Sequence, residues 1–89
     1  MKVTFSEKGL DEYLEVAKED KKKWEKINAL IKDIQRNGFM TGIGKPEFLR
    51  HKKVYSRQID DKNRLTYIAA GEKNKDVEIV SCKGHYDDK

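Results

Sequence analysis

The last apolar run of the chain, Val77, Ile79 and Val80, leads into Ser81-Cys82-Lys83-Gly84-His85-Tyr86. A histidine transfers protons near neutral pH, and a tyrosine offers a flat ring with a hydroxyl. Upstream, Lys45-Pro46-Glu47 sets one carboxylate among the cations Arg50, Lys52, Lys53, Arg57 and Arg64. A carboxylate, several cations, an imidazole and a phenol on one surface suit cleavage of RNA without a metal. RNA carries its own nucleophile, the 2′-hydroxyl. A base removes that proton, cations stabilise the pentavalent phosphate, and an acid protonates the departing 5′-oxygen. An aromatic ring can hold a splayed base by stacking. The two histidines and the scattered carboxylates show no metal-ligand spacing, so neither metal nor cofactor is expected. Cys82 is expected to pack within the last strand and not to act as a nucleophile. Gly42-Ile43-Gly44-Lys45 lacks the length and the following Ser or Thr of a phosphate loop, which excludes a nucleotide site of that kind.

These groups need a scaffold that gathers them. Residues 2–5 alternate and read as a short strand. Ser6 is placed to cap a helix from Glu7 to Lys18 or Glu19, with Leu10, Tyr13, Leu14 and Ala17 as its apolar face. Asp20 is placed to cap a second helix whose stripe is Trp24, Ile27, Ile31 and Ile34, with Leu30 beside it. That helix should end at Asn37-Gly38, which tolerate left-handed geometry. Residues 40–46 are Gly-rich and irregular. Residues 54–59, 64–70 and 76–82 read as three strands of an antiparallel meander, with turns at 60–63 and 71–75. Alternation puts Leu65, Tyr67 and Ala69 on one face and Arg64 and Thr66 on the other. Arg57 and Arg64 flank one turn, and the two are expected to approach each other. The fold class is α+β: an N-terminal strand and a two-helix hairpin on a small, largely antiparallel sheet, in a single domain over residues 1–89.

A chain of 89 residues buries only about 60% of its unfolded surface, so its core is thin. The net charge of +4 is unevenly spread. Residues 6–36 carry eight acidic and eight basic side chains, whereas residues 44–64 carry seven basic against three acidic. Such a local excess favours a polyanion. One cysteine excludes an internal disulfide framework, and no apolar run has the length of a signal peptide or a membrane span; the expected location is cytoplasmic.

Several stretches together resemble the YoeB/Txe family of bacterial toxins, within the RelE-like superfamily. They are Lys26-Ile27-Asn28, Leu30-Ile31-Lys32-Asp33, Gly44-Lys45-Pro46-Glu47, Tyr55-Ser56-Arg57, Asn63-Arg64-Leu65-Thr66-Tyr67 and His85-Tyr86. The resemblance keeps its order over nearly the full length. It implies a ribosome-dependent endoribonuclease that cuts mRNA at the A-site codon and is neutralised by an antitoxin, with the ribosome and mRNA as further partners; the sequence leaves monomer and homodimer both open. It implies Glu47 as general base, His85 as general acid, Arg64 as the stabiliser of the scissile phosphate and Tyr86 as the group that orients or stacks the substrate. The residues themselves are compatible with either order of Glu47 and His85. Lys45, Arg50, Lys52, Lys53 and Arg57 would contact RNA phosphates. Many relatives read Arg-Arg where this chain has Arg57-Gln58, so one such contact is weaker here or comes from Lys52 or Lys53. Two other functions compete: a non-catalytic RNA- or ribosome-binding module, and a toxin on the same scaffold directed at another target, such as a topoisomerase.

Overall fold

A computed structural model describes residues 1–84. Strand β1 (Val3–Phe5) is followed by helices α1 (Glu7–Glu19) and α2 (Lys21–Asn37), then by strands β2 (Glu47–Leu49), β3 (Val54–Gln58), β4 (Arg64–Ala70) and β5 (Asp76–Ser81). One five-stranded sheet results, in the order β1-β5-β4-β3-β2. The meander β3–β4–β5 is antiparallel as the alternation predicts, and β1 lies parallel to β5 at the edge. The sequence gives no sign of β2. Three residues are too few for a periodic signal, and β2 owes its strand conformation to its pairing with β3, Glu47 opposite Ser56 and Leu49 opposite Val54.

The helical hairpin forms where the caps lie. The Ser6 hydroxyl accepts from the Gly9 amide at 3.0 Å and donates to the Val80 carbonyl at 3.2 Å, so the α1 cap is also tied to β5. Asp20 closes α1 with its amide and opens α2 with its carboxylate, which accepts from the Lys23 amide at 3.0 Å. One residue therefore makes the whole connection, which forces the helices side by side. Gly38, at φ 93°, ends α2.

The α2 stripe buries Ile27, Leu30, Ile31 and Ile34 against Leu65, Tyr67, Val77 and Ile79 of the sheet. Each such aliphatic side chain contributes roughly 1.5–3 kcal/mol on burial. Helix α1 departs from its expected face. Leu10 and Leu14 are 42% and 53% exposed, and the buried positions are Gly9 and Val16. The cause is Gly9. A Cβ there would lie 2.3 Å from the Ile79 carbonyl oxygen, so α1 rests directly on the β5 backbone through the one residue that permits it. That contact rotates Leu10 and Leu14 outward and aims Glu12 at the end of β5. Among the described residues no helix is long and apolar enough to cross a membrane.

Gly9→Ala should therefore be destabilising although alanine is the better helix former. Backbone cannot yield as a side-chain tip does, and overpacking of this kind typically costs about 1–3 kcal/mol. Chemical denaturation measures the loss; an unchanged midpoint would contradict the contact.

Candidate active site

The sheet has two unlike faces. Leu65 and Tyr67 point toward the helices, and Arg64 and Thr66 point away, as predicted. On the face away from the helices the registers align one polar row across four strands: Glu47 opposite Ser56, Ser56 opposite Thr66, Thr66 opposite Ser81. Arg64 joins this row. Its Nη1 lies 3.3 Å from the Glu47 carboxylate and donates to the Ser56 hydroxyl at 3.3 Å. Ser56 is completely buried beneath this pair. Thr66 and Ser81 share a hydroxyl hydrogen bond of 2.5 Å. The result is a carboxylate held against a guanidinium at the rim of an open sheet face, with both groups still reached by solvent.

His85 and Tyr86 lie outside the described residues. The backbone that leads to them is fixed at four points. The Glu12 carboxylate accepts from the amides of Cys82 at 2.8 Å and Lys83 at 3.1 Å. The Gly84 amide donates to the Asn63 side chain at 2.7 Å, and the Gly84 carbonyl accepts from the Arg64 amide at 3.0 Å. Residue 84 is thus bonded to the backbone of the same arginine that meets Glu47. Glu12, Asn63 and Ser56 have no obvious chemical signal in the sequence, because each acts through a neighbour. Cys82 is buried just past β5, and burial pushes its thiol up to about 12, so it stays protonated. Lys83 is held by Glu15 at 2.9 Å. That contact keeps the ammonium protonated beyond its usual range and the Glu15 carboxyl ionised below its own.

Arg57 does not join the polar row. It pairs with Leu65 in the β3–β4 register, which turns its side chain toward the helices, on the opposite face from Arg64. The guanidinium is fully buried and all five of its N–H groups are used. Nε donates to the Tyr67 hydroxyl at 2.9 Å. Nη1 donates to Asp33 at 2.5 Å and to the Ile43 carbonyl at 2.9 Å. Nη2 donates to the carbonyls of Gly38 and Thr41, both at 2.8 Å. The expectation that Arg57 contacts RNA phosphate is therefore corrected: no donor remains, and the group is out of reach. The same bonds explain the Gly-rich stretch. Gly44, at φ 85°, passes so close that a Cβ would lie 2.7 Å from the Leu30 side chain. Lys45, Arg50, Lys52 and Lys53 are exposed, as contacts to phosphate require. Lys52 borders a cleft of about 230 Å³ beside Thr66 and Ser81. Lys45 instead lies on the far side of Gly44, near Gln58 and Asp60.

Residues 5–86 match the family model of the YoeB-like toxin of bacterial type II toxin-antitoxin systems. The chain belongs to this family. A relative called Toxin YoeB, from Synechocystis sp., is 42% identical over 97% of this chain and 98% of its own. The solved structure of a YoeB/ParE toxin from Agrobacterium tumefaciens superposes with a TM-score of 0.88 at 33% identity, covering 97% of this chain and 100% of that one. A heterotetrameric YoeB-YefM toxin-antitoxin complex from Staphylococcus aureus contains a chain 42% identical, with a TM-score of 0.82, over 97% of this chain and 98% of that one. These likenesses agree with the RelE-like α+β architecture found here.

Two outcomes test the Arg57 cluster. Tyr67→Phe removes the hydroxyl that accepts from Arg57 and donates to the Phe39 carbonyl at 2.6 Å. Leaving those buried partners unmatched should cost about 1–3 kcal/mol in denaturant titrations. The second concerns acid. The Arg57 guanidinium holds the Asp33 carboxyl below its ordinary range. A depressed folded-state pKa stabilises above the unfolded value of about 3.9, and this stabilisation is lost as the pH falls toward the folded value. Asp33→Asn should flatten the acid limb of the stability curve between about pH 2 and pH 5. An acid limb of unchanged steepness would exclude Asp33 as a source.

Proposed function

We propose that the chain is a ribosome-dependent endoribonuclease that cleaves mRNA at the A-site codon and is neutralised by an antitoxin. The observation that carries this reading is the Glu47–Arg64 pair, 3.3 Å apart on the open face, with Gly84 bonded to the Arg64 backbone. His85 follows Gly84 in the chain, so a second proton-transfer group starts one residue from that anchor. Glu47 is assigned the base that takes the 2′-hydroxyl proton. The freed oxygen attacks phosphorus while the bond to the 5′-oxygen breaks. Arg64 offsets the charge that develops on the phosphoryl oxygens, and His85 gives its proton to the departing 5′-oxygen. The products are a 2′,3′-cyclic phosphate and a 5′-hydroxyl. Tyr86 is assigned to stacking or orienting the substrate.

Lys52, Lys53, Arg50 and Lys45 are assigned to RNA phosphates, and the cytoplasm, where ribosomes work, is the location. The cations Arg50, Lys52 and Lys53 also suit an acidic or amphipathic antitoxin segment, since complementary charge speeds encounter. The Staphylococcus aureus relative, solved with YefM, supports a partner of that kind.

The chemistry has a direct test on translating ribosomes, with chelator present. An mRNA with a 2′-deoxy sugar at the cut position keeps the binding groups and loses the nucleophile; it should not be cut. Cleavage at the ordinary rate would refute the roles given to Glu47 and His85. His85→Ala should slow cleavage on the order of 10²–10⁴-fold while ribosome binding changes little. Mapping the 5′ ends of cellular mRNA after induction separates this activity from a toxin directed at DNA, which would raise a damage response and leave mRNA whole.

A further inference from the structure

Across the open face from Glu47, the cleft of about 230 Å³ collects cations from three separate elements. Lys8 comes from the first turn of α1, Lys52 from the turn after β2, and Lys83 from the exit of β5. Thr66 and Ser81 line it as well. Their mutual hydrogen bond uses one hydroxyl hydrogen and leaves the other for a ligand. Lys83 is already matched by Glu15 at 2.9 Å and Glu19 at 3.8 Å. Lys8 is exposed, and among the described residues it enters no ion pair. A positive cleft with hydroxyl donors and valines in its wall takes an anion carried on a partly apolar frame. A nucleotide phosphate with its sugar is such a group.

The cleft begins beside the cutting pair, where Leu49 and Thr66 stand two residues along their strands from Glu47 and Arg64, and runs away from it toward β5. Ser81 stands three strands from Glu47 along the polar row, about 14 Å at the usual strand spacing. We infer that this cleft binds a second backbone phosphate of the single-stranded RNA, not the one that is cut, with Lys8 as a cation that engages it. This inference rests on the endoribonuclease reading. It adds a positioning contact that sets which stretch of RNA lies across Glu47 and Arg64. Lys8 has no part in proton transfer, so its loss is felt in binding.

The test is cleavage of a short synthetic mRNA on ribosome complexes over a range of salt, comparing the parent with Lys8→Ala. Lys8 is exposed, and equal melting temperatures will confirm an intact fold. The variant should show KM raised roughly two- to fivefold, the worth of one exposed ion pair, with kcat unchanged. Its plot of log affinity against log salt should be shallower by about 0.7, one phosphate contact on a single strand. A set of mRNAs, each with one non-scissile phosphate replaced by a neutral methylphosphonate, identifies the partner. At one position the parent should suffer the same penalty, and Lys8→Ala should suffer no more than it already does. Equal KM and equal salt slope for variant and parent would overturn the second phosphate site. So would a Lys8→Ala penalty that no methylphosphonate reproduces, because the cation would then face ribosomal RNA. A parent protein that cuts nothing refutes the endoribonuclease reading itself, and is seen before any variant is made.

Discussion

The structure depends on one buried guanidinium. Arg57 sits under the sheet with every N–H matched, and its acceptors come from α2, β4 and the irregular stretch that follows α2. A charge taken out of water is tolerated only when it is paired and fully hydrogen-bonded. Here the pairing is to Asp33, and three backbone carbonyls supply most of the rest. The Gly-rich stretch has no regular secondary structure of its own, so these carbonyls would otherwise seek water. The guanidinium stands in for a strand or helix and gives the loop one path. That path delivers Glu47 to the edge of β3. Tyr67 completes the arrangement: burial raises its phenol above the ordinary range, which keeps it protonated and able to donate to Phe39.

The two faces of the sheet divide the work. Below, Phe39, Tyr55 and Tyr67 stack with centroids 5.1 to 6.3 Å apart and join the aliphatic core. Above, the row from Glu47 to Ser81 stays polar and largely unroofed by the hairpin. A one-residue slip of β4 against β3 would exchange the faces of β4, turning Arg64 inward and taking Tyr67 away from Arg57. The closely fitted guanidinium makes that slip costly. Register and site geometry are therefore secured by the same side chain.

Helix α1 secures the other end. Gly9 lets it lie on β5, and the approach puts Glu12 within reach of the amides of Cys82 and Lys83. Those amides leave the sheet ladder at the strand end and need an acceptor. Glu12 supplies it from the helix, and Asn63 does the same for Gly84 from the turn before β4. Residues 82–84 thus leave the sheet beside Arg64, held by contacts from α1 and from the turn before β4.

By itself the sequence determined what is local or periodic. Ser6, Asp20 and Gly38 bound the helices because capping needs only near neighbours. The α2 stripe and the alternation of β4 fixed which sides are buried, since period follows from backbone geometry. The opposition of Leu65 and Arg64 was legible for the same reason. Tertiary structure alone decided the rest. The strand at Glu47–Leu49 exists through its partner. The face of α1 was set by a 2.3 Å exclusion at Gly9 that no hydrophobic pattern expresses. Arg57 and Arg64 are both arginines on paired strands, and composition gives them the same role. Register gives them opposite ones, since Arg57 lies across from Leu65 and Arg64 across from Gln58. One guanidinium holds a loop in the core and the other meets a carboxylate at the surface. The difference is burial, a property of the assembled chain and not of the residue.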